Sequence, residues 1–497
     1  MPTTRMTRLG RQFLRAGPVL RAGPVLLAGT VLLAAAPALA DELRDALILA
    51  YNSNPNLQAA RAQQRGLDET VPIARAAGLP SLAGTATYTE FLKTSSISFT
   101  SPARAVGLNA QLGVPIYNGG SVKNSVRAAD TRVLAGRDDL RGVESGVFSQ
   151  VVAAYMDVIL AQQVVRLNQS NVRQLEVNSQ ASRDRFEIGD VTRTDVAQSN
   201  SRLALARGQV RNSQAQLISA RENYIQIVGK APVDLQSPPP LAGLPGSAGE
   251  AVDYALDHNP DLAGAQQRAK AASYDVKVAG AGRLPRVSIF AGSDYTNFLG
   301  SLGGSGPGNF PQASTTAQAG VRALIPLFQG GLPAAQRRAA QARQDAASEQ
   351  EIGVERAVIA NVRSAFAQWQ AAQSLIATSQ VAVDAASLSL EGVRAENSVG
   401  NRTILDILNA EQEALGAQVQ LATARRNAYV AGFNLLAAMG KAEARDLGLD
   451  GGALYDPQTN YERVHRKIWD WSTDPDPVTE ATRTVDTAAQ DGSITGQ

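Results

Sequence analysis

This sequence repeats itself, and the repetition limits what it can fold into more than any other feature. Asn54-Pro55-Asn56-Leu57 returns as Asn259-Pro260-Asp261-Leu262, and Leu79-Pro80 as Leu284-Pro285, both at an offset of 205. Val114-Pro115-Ile116-Tyr117-Asn118-Gly119-Gly120 matches Ile325-Pro326-Leu327-Phe328-Gln329-Gly330-Gly331 at 211, and that offset also links Gly189 to Gly400, Asp195 to Asp406 and Gly229-Lys230 to Gly440-Lys441. Fixed offsets over this length mean one unit written twice. At about 150 residues per domain the 497 residues would otherwise suggest three domains. The reading is two structural repeats, 41–245 and 246–450, joined at the Pro/Gly-rich stretch 237–249, with a signal segment (1–40) before them and a tail (451–497) after them.

Each repeat has the same order of elements. Asn54 and Asn259 cap a helix whose first residue is proline. Period-two strands follow, expected at 82–91 and 105–117 in the first repeat and at 286–297 and 314–328 in the second. In the clearest of them Val106, Leu108, Ala110, Leu112, Val114 and Ile116 share one face, opposite Gly107, Asn109, Gln111 and Gly113. After each Gly-Gly the period becomes helical, as at Val143, Val147, Val151, Ala154, Tyr155 and Val158. Long helices are expected over 121–229 and 331–440, each broken once at a glycine turn, 188–194 or 399–405.

Residues 1–40 hold five arginines, no acidic residue, a short apolar stretch and Ala38-Leu39-Ala40. They read as a secretory signal cleaved before Asp41, not as a membrane anchor. Removing them leaves 42 basic against 45 acidic residues, a charge of −3, which does not point to nucleic acid. Cysteine is absent and there are two histidines, which excludes disulfides, thiolate sites and an acylated-cysteine anchor and leaves no His-based metal or acid–base site. No catalytic, cofactor or metal residues are expected. No run after residue 40 is long and apolar enough for a membrane-spanning helix.

The strands suggest a membrane of another kind. The regions 82–117 and 286–328 hold nine of the chain's 25 aromatics and six charged residues, and several aromatics sit near strand ends, as in the girdles of membrane barrels. The eleven-residue stretch 106–116 matches the 9–11 residues a tilted strand needs to cross a bilayer. Four strands cannot close in lipid, because every free edge would be unsatisfied there. The chain must therefore pool strands with its copies, eight from two chains or twelve from three.

The duplicated NPxL, LP, strand–PxxxGG–long helix and VGxxTxxD elements resemble TolC-family outer-membrane channel proteins over roughly 42–450. Tyr455-Asp456-Pro457, Tyr461, Val464 and Trp469 are similar to the end of the type I secretion branch. The resemblance implies an α+β membrane protein of the cell outer membrane: a homotrimeric twelve-stranded β-barrel, four strands per chain, continuing into a long α-helical periplasmic tunnel. It implies partners too: two further copies of the chain, outer-membrane lipid, a periplasmic adaptor (membrane fusion) protein and an inner-membrane ABC or proton-driven transporter.

By the same resemblance Asp406 forms an acidic ring at the periplasmic constriction, with Asn409 one turn on. Asp195, Thr194 and Arg402 form an entrance latch beside the turns at Gly189 and Gly400, and Pro115, Gly119, Gly120, Pro326, Gly330 and Gly331 mark the strand-to-helix junctions. Two departures stand out. Asn409 replaces a frequent second aspartate, and Asn397 replaces an aromatic of the latch. On the residues alone, Asp195 and Asp406 read rather as helix caps. The function expected is an exit duct for type I protein secretion, with small-molecule efflux as the alternative and a non-conducting coiled-coil envelope protein as the rival of another class. The tail 473–497 is polar and expected to be disordered. No phosphate-binding GxxxxGK[ST] loop or hydrolase motif is present, so transport energy must come from the partners.

Overall fold

The computed structural model describes residues 42–93, 101–303, 310–449 and 454–494. The expected signal segment and the tips of both strand-connecting loops lie outside the described residues. The first repeat runs α1 (Leu43–Ser53), α2 (Pro55–Asp68), α3 (Thr70–Ala76), β1 (Ser81–Glu90), β2 (Arg104–Tyr117), α4 (Ser121–Glu187) and α5 (Arg193–Val228). The second runs α6 (Ala248–His258), α7 (Pro260–Gly280), β3 (Arg286–Asn297), β4 (Ala313–Leu324), α8 (Leu332–Ser398) and α9 (Ile404–Met439), and α10 (Pro457–Val464) opens the tail. The corresponding long helices match in length, 67 residues for α4 and α8 and 36 for α5 and α9. At 1.5 Å per residue α4 and α8 are each about 100 Å long.

The repeats differ where one residue forces it. The helix after Asn259 is continuous for 21 residues, whereas the one after Asn54 breaks between Asp68 and Thr70. Pro72 lies four residues after Asp68, so its ring collides with the Asp68 carbonyl and it has no N–H to donate. The matching position, Lys277, carries no such restriction.

The four strands form one antiparallel sheet in the order β1-β2-β3-β4, so the two repeats meet at β2–β3. The expected strand 314–328 ends at Leu324 instead. Leu324 pairs with Arg286, the first residue of β3, so Ile325 and Pro326 have no ladder to join. Pro115 stays within β2 because β1 reaches only to Gly113. Beyond that point one side of β2 is unpaired, and a register shift follows between Pro115 and Tyr117.

The NPxL motif proves to be a joint. Asn54 Oδ1 accepts from the Asn56 and Leu57 amides while its Nδ2 donates to the Ile227 carbonyl at the end of α5 (2.9 Å). Asn259 does the same between α7 and the Ala438 carbonyl of α9 (2.9 Å). Each short helix therefore stacks end to end on a long one, positive end against negative end. The packing at the second joint explains the repeated Gly-Lys: Gly440 is left-handed (φ +80°), and a Cβ there would lie 2.6 Å from the His258 carbonyl oxygen.

The core lies at the level of these joints. Phe148, Val151, Val152 and Tyr155 of α4 pack with Leu47, Ala50 and Tyr51 of α1 and Leu217 and Tyr224 of α5. α4 contains one 18-residue window with the hydropathy of a membrane span, a feature the sequence expectation passed over, but half of it is buried in the protein. α8 is far more open, with Leu375, Val381 and Leu388 exposed along it. The tail also departs from expectation. Residues 473–494 have no regular element, yet the buried Arg221 of α5 donates to the Asp491 and Ser493 carbonyls at 2.7 and 2.9 Å. These hydrogen bonds to a charged group add to the packing of Ile494 against the core.

Candidate functional site

In an antiparallel pair, residues directly opposite each other share a face, so the register sorts the sheet into two surfaces. One surface carries Leu82 and Tyr88 of β1, Val106, Leu108 and Leu112 of β2, Ile289, Ala291 and Tyr295 of β3, and Ala319 and Val321 of β4. The other carries Thr85, Thr87 and Thr89, then Asn109 and Gln111, then Asp294 and Thr296, and finally Gln318 and Arg322. On this polar surface Asn109 donates to Asp294, and the Arg322 guanidinium lies over the Phe290 ring at 5.1 Å. The alternation is in phase across all four strands and both repeats. It gives the sheet one side suited to hydrocarbon and one suited to water, with β1 and β4 at its two edges.

At the lower rim of the sheet the chain turns into the long helices through paired glycines. Gly119 and Gly120 (φ +65° and +77°) precede α4, and Gly330 and Gly331 (φ +58° and +82°) precede α8. Two successive left-handed residues are expensive for any side chain with a Cβ. Gly119 is additionally confined, since a Cβ there would meet Leu284 Cβ at 2.8 Å. The first junction thus rests on the turn that precedes β3, while Gln329, beside the second, donates to the Gly282 carbonyl of that turn (3.1 Å). Pro115 lies inside β2 and Pro326 beyond β4.

At the far end the hairpins α4–α5 and α8–α9 turn back by one device used twice. Gly189 and Gly400 are left-handed (φ +83° and +82°), and Asp190 N and Asn401 N reach back to the Arg185 and Glu396 carbonyls, both at 2.9 Å. The returning helices open with capping boxes. Asp195 Oδ2 accepts from Thr192 N and Oγ1 (2.8 and 2.7 Å), and Asp406 Oδ2 from Thr403 N and Oγ1 (2.9 and 2.8 Å). The Thr403 donors, helped by nearby Arg402, hold the Asp406 carboxyl below the usual carboxylate range.

Within one chain the expected Asp195–Arg402 pair does not form. Arg402 Nε donates to Glu396 Oε2 across its own turn at 2.7 Å, Asn397 Nδ2 donates to the Arg402 carbonyl at 2.7 Å, and Asp195 is committed to its cap. Thr194 is exposed at the second position of α5. Asn409, expected at the constriction beside Asp406, accepts from Arg202 of α5 (3.0 Å).

Apart from Asn409, the residues that bind the two hairpins to each other were absent from the sequence reading. Glu411 of α9 is buried, pairs with Arg394 of α8 (2.8 Å) and accepts from Asn178 of α4 on both oxygens (2.9 and 3.0 Å). Together with Arg202–Asn409, this cluster ties the hairpins just above their tips. A carboxylate at an apolar helix position is a signal, but nothing local names a partner more than 200 residues away.

These features recur in known proteins. The outer membrane efflux protein family matches residues 47–230 and 251–441, the two repeats. Outer membrane efflux protein BepC of Brucella suis biovar 1 (strain 1330) is 34% identical over 430 residues, 86% of this chain and 92% of that protein. Outer membrane protein TolC of Escherichia coli (strain K12) is 28% identical over 451 residues, covering 86% and 87%. Alkaline protease secretion protein AprF of Pseudomonas aeruginosa PAO1 is 26% identical over 427 residues, covering 83% and 87%. Among solved structures, the outer membrane channel CmeC of Campylobacter jejuni superposes with a TM-score of 0.71 at 17% identity, over 85% of this chain and 89% of that one. VceC of Vibrio cholerae gives 0.68 at 23%, over 80% and 96%. The fold is the barrel-and-tunnel one, in which three chains with four strands each complete a twelve-stranded barrel above packed helices. With both repeats matched and the two-faced sheet in place, the chain belongs to the outer membrane efflux protein family, a TolC-family channel and not an enzyme.

Proposed function

We propose that this outer-membrane channel is the exit duct of a type I protein secretion system, receiving cargo from an inner-membrane transporter through a periplasmic adaptor. The observation that carries a duct is the sheet, whose polar face is continuous over four strands and requires closure around water. Protein as the cargo is supported by similarity along most of the chain to two relatives named for protease secretion, AprF and PrtF of Dickeya chrysanthemi. Small-molecule efflux is the second reading, favoured by the 34% identity to the efflux protein BepC. Deleting the gene separates them. Loss of extracellular protein with unchanged susceptibility to detergents and dyes supports secretion, and the opposite pattern refutes it.

In this reading the strands span the membrane and the helices form the periplasmic conduit. The chain is exported by its first 40 residues, so the mature protein begins at Asp41, which N-terminal sequencing checks. Asp406 from three chains forms the acidic ring at the periplasmic tip. Its carboxyl is held ionised by the Thr403 donors, so the ring favours cations and repels anions. Arg402 exchanges Glu396 for Asp195 of a neighbouring chain to complete a closed latch, a bistable contact that an adaptor releases.

A further inference from the structure

The tail climbs one flank of the molecule and then comes back. Tyr455 N donates to Tyr51 Oη near the end of α1 (2.8 Å), Asn460 to Asp68 at the end of α2 (2.7 Å) and Tyr461 to Asp130 of α4 (2.9 Å). The His465 carbonyl then accepts from Arg75 of α3 (3.1 Å). Past that contact the direction reverses. Gln490 N donates to Glu222 of α5 (3.0 Å), and the Asp491 carbonyl accepts from Arg221, six residues before the Ile227 joint and so further from the sheet.

The turning point is a closed loop, 463–474. Asp474 pairs with Arg463 at 2.8 Å through both oxygens and with Lys467 at 3.2 Å. These cations hold its carboxyl down to about 2, so the clasp stays shut at neutral pH. At the tip Ile468, Trp469 and Trp471 are 71%, 71% and 82% exposed. Arg75 stands six residues before β1, so the start of this loop lies near the level where helices give way to the membrane sheet.

Around the rim the helix ends are basic, whereas the loop itself carries Asp470 and Asp474 beside Arg463, Arg466 and Lys467. The segments 73–79, 121–128, 276–288 and 329–339, which border the lower rim of the sheet, contain eight Lys or Arg and no Asp or Glu. A basic collar beneath an apolar wall matches the anionic headgroups of a phospholipid leaflet, and tryptophan prefers the headgroup region. The wall continues to its rim in Ile116, Tyr117, Leu327 and Phe328, all exposed.

We propose that the 463–474 loop is an interfacial anchor that inserts Trp469 and Trp471 among anionic phospholipid headgroups of the periplasmic leaflet, with Arg466 and Lys467 beside the phosphates. The inference rests on the membrane placement of the sheet and is independent of the cargo.

Fluorescence of the full mature protein tests it. With Trp369→Phe as background, adding Trp471→Phe or Trp469→Phe leaves one emitter in the loop. Each variant is placed in nanodiscs of phosphatidylglycerol or phosphatidylcholine, with and without bromine near the acyl–headgroup boundary. The expected result is emission at least twofold lower in brominated lipid, and acrylamide quenching at least threefold weaker than for N-acetyltryptophanamide. Quenching by bromine is deeper in phosphatidylglycerol, and Arg466→Gln with Lys467→Gln abolishes that preference. Full acrylamide access without bromine quenching places the loop in water and overturns the proposal. Protection from both quenchers means protein covers the loop, a second copy included, and overturns it equally. Equal quenching in the two lipids refutes the role of charge.

Discussion

Replacing Glu411 with alanine should loosen the periplasmic ends of the helices while leaving the rest of the chain intact. The carboxylate is 3% exposed, whereas the Arg394 side chain is 45% exposed. Breaking a fully buried ion pair costs about 3–5 kcal/mol, because the abandoned charge stays in the interior. Here Arg394 reaches water once released, so most of that penalty is absent. What remains is the Asn178 amide, which loses two hydrogen bonds in a partly buried position, at about 1–3 kcal/mol. The estimate is about 2 kcal/mol per chain. That amount multiplies local opening by roughly thirty.

Hydrogen exchange by mass spectrometry reads this directly. Peptides spanning 390–400, 404–416 and 172–185 should exchange roughly thirtyfold faster, by the same conversion, with no change around Phe148 or Tyr224. Single-channel conductance should rise as the α8–α9 hairpin separates from α4. Glu176→Ala is the control, since the Arg207–Glu176 pair is exposed on both sides and should contribute about 0.2–1 kcal/mol. If exchange at the tips changes less than twofold in Glu411→Ala, or as much in Glu176→Ala, the cluster does not hold the hairpins together.

Asn259→Ala removes a helix cap and a joint at once, and should cost about 1–2 kcal/mol, seen as a lower unfolding midpoint of the assembled protein. Gly119→Ala should be worse than Gly120→Ala, since both residues are left-handed but only Gly119 faces a 2.8 Å clash; the ranking of yields of detergent-stable trimer checks it. Asp406 has a lowered carboxyl pKa, so its cap stabilises the chain above the ordinary carboxylate value and that contribution is lost as pH falls through the lowered one. Asp406→Asn should flatten this acid dependence, measured by exchange at 400–410, and should weaken block of the channel by multivalent cations. Arg402→Ala and Asp195→Ala should each raise conductance if the two residues pair between chains; unchanged conductance in both leaves them as turn and cap residues.

The repeat, the order of elements and the glycine turns that begin and break the long helices could be read from local chemistry. Period two, period 3.6, paired glycines and Asn-Pro caps act within a few residues of where they stand. Even the departure at Pro72 is local, a ring against the carbonyl four residues earlier. The apolar face of the sheet could also be read strand by strand.

Partnership could not be read, and the tertiary structure decided it. That Asn54 serves α5 as well as α2, that Glu411 gathers Arg394 and Asn178, and that Arg202 holds Asn409 all depend on the registry of long helices about 100 Å in length. An amphipathic stripe fixes which side of a helix faces inward but says little about its position along the neighbour. The tail shows the same division. The polar composition of 473–497 suggested disorder, yet Arg221 and Glu222 of α5 hold residues 490–493 in place. The sequence by itself determined the pieces and the sides they bury, because those follow from near neighbours in the chain. Contacts between residues hundreds of positions apart are set only when the pieces pack.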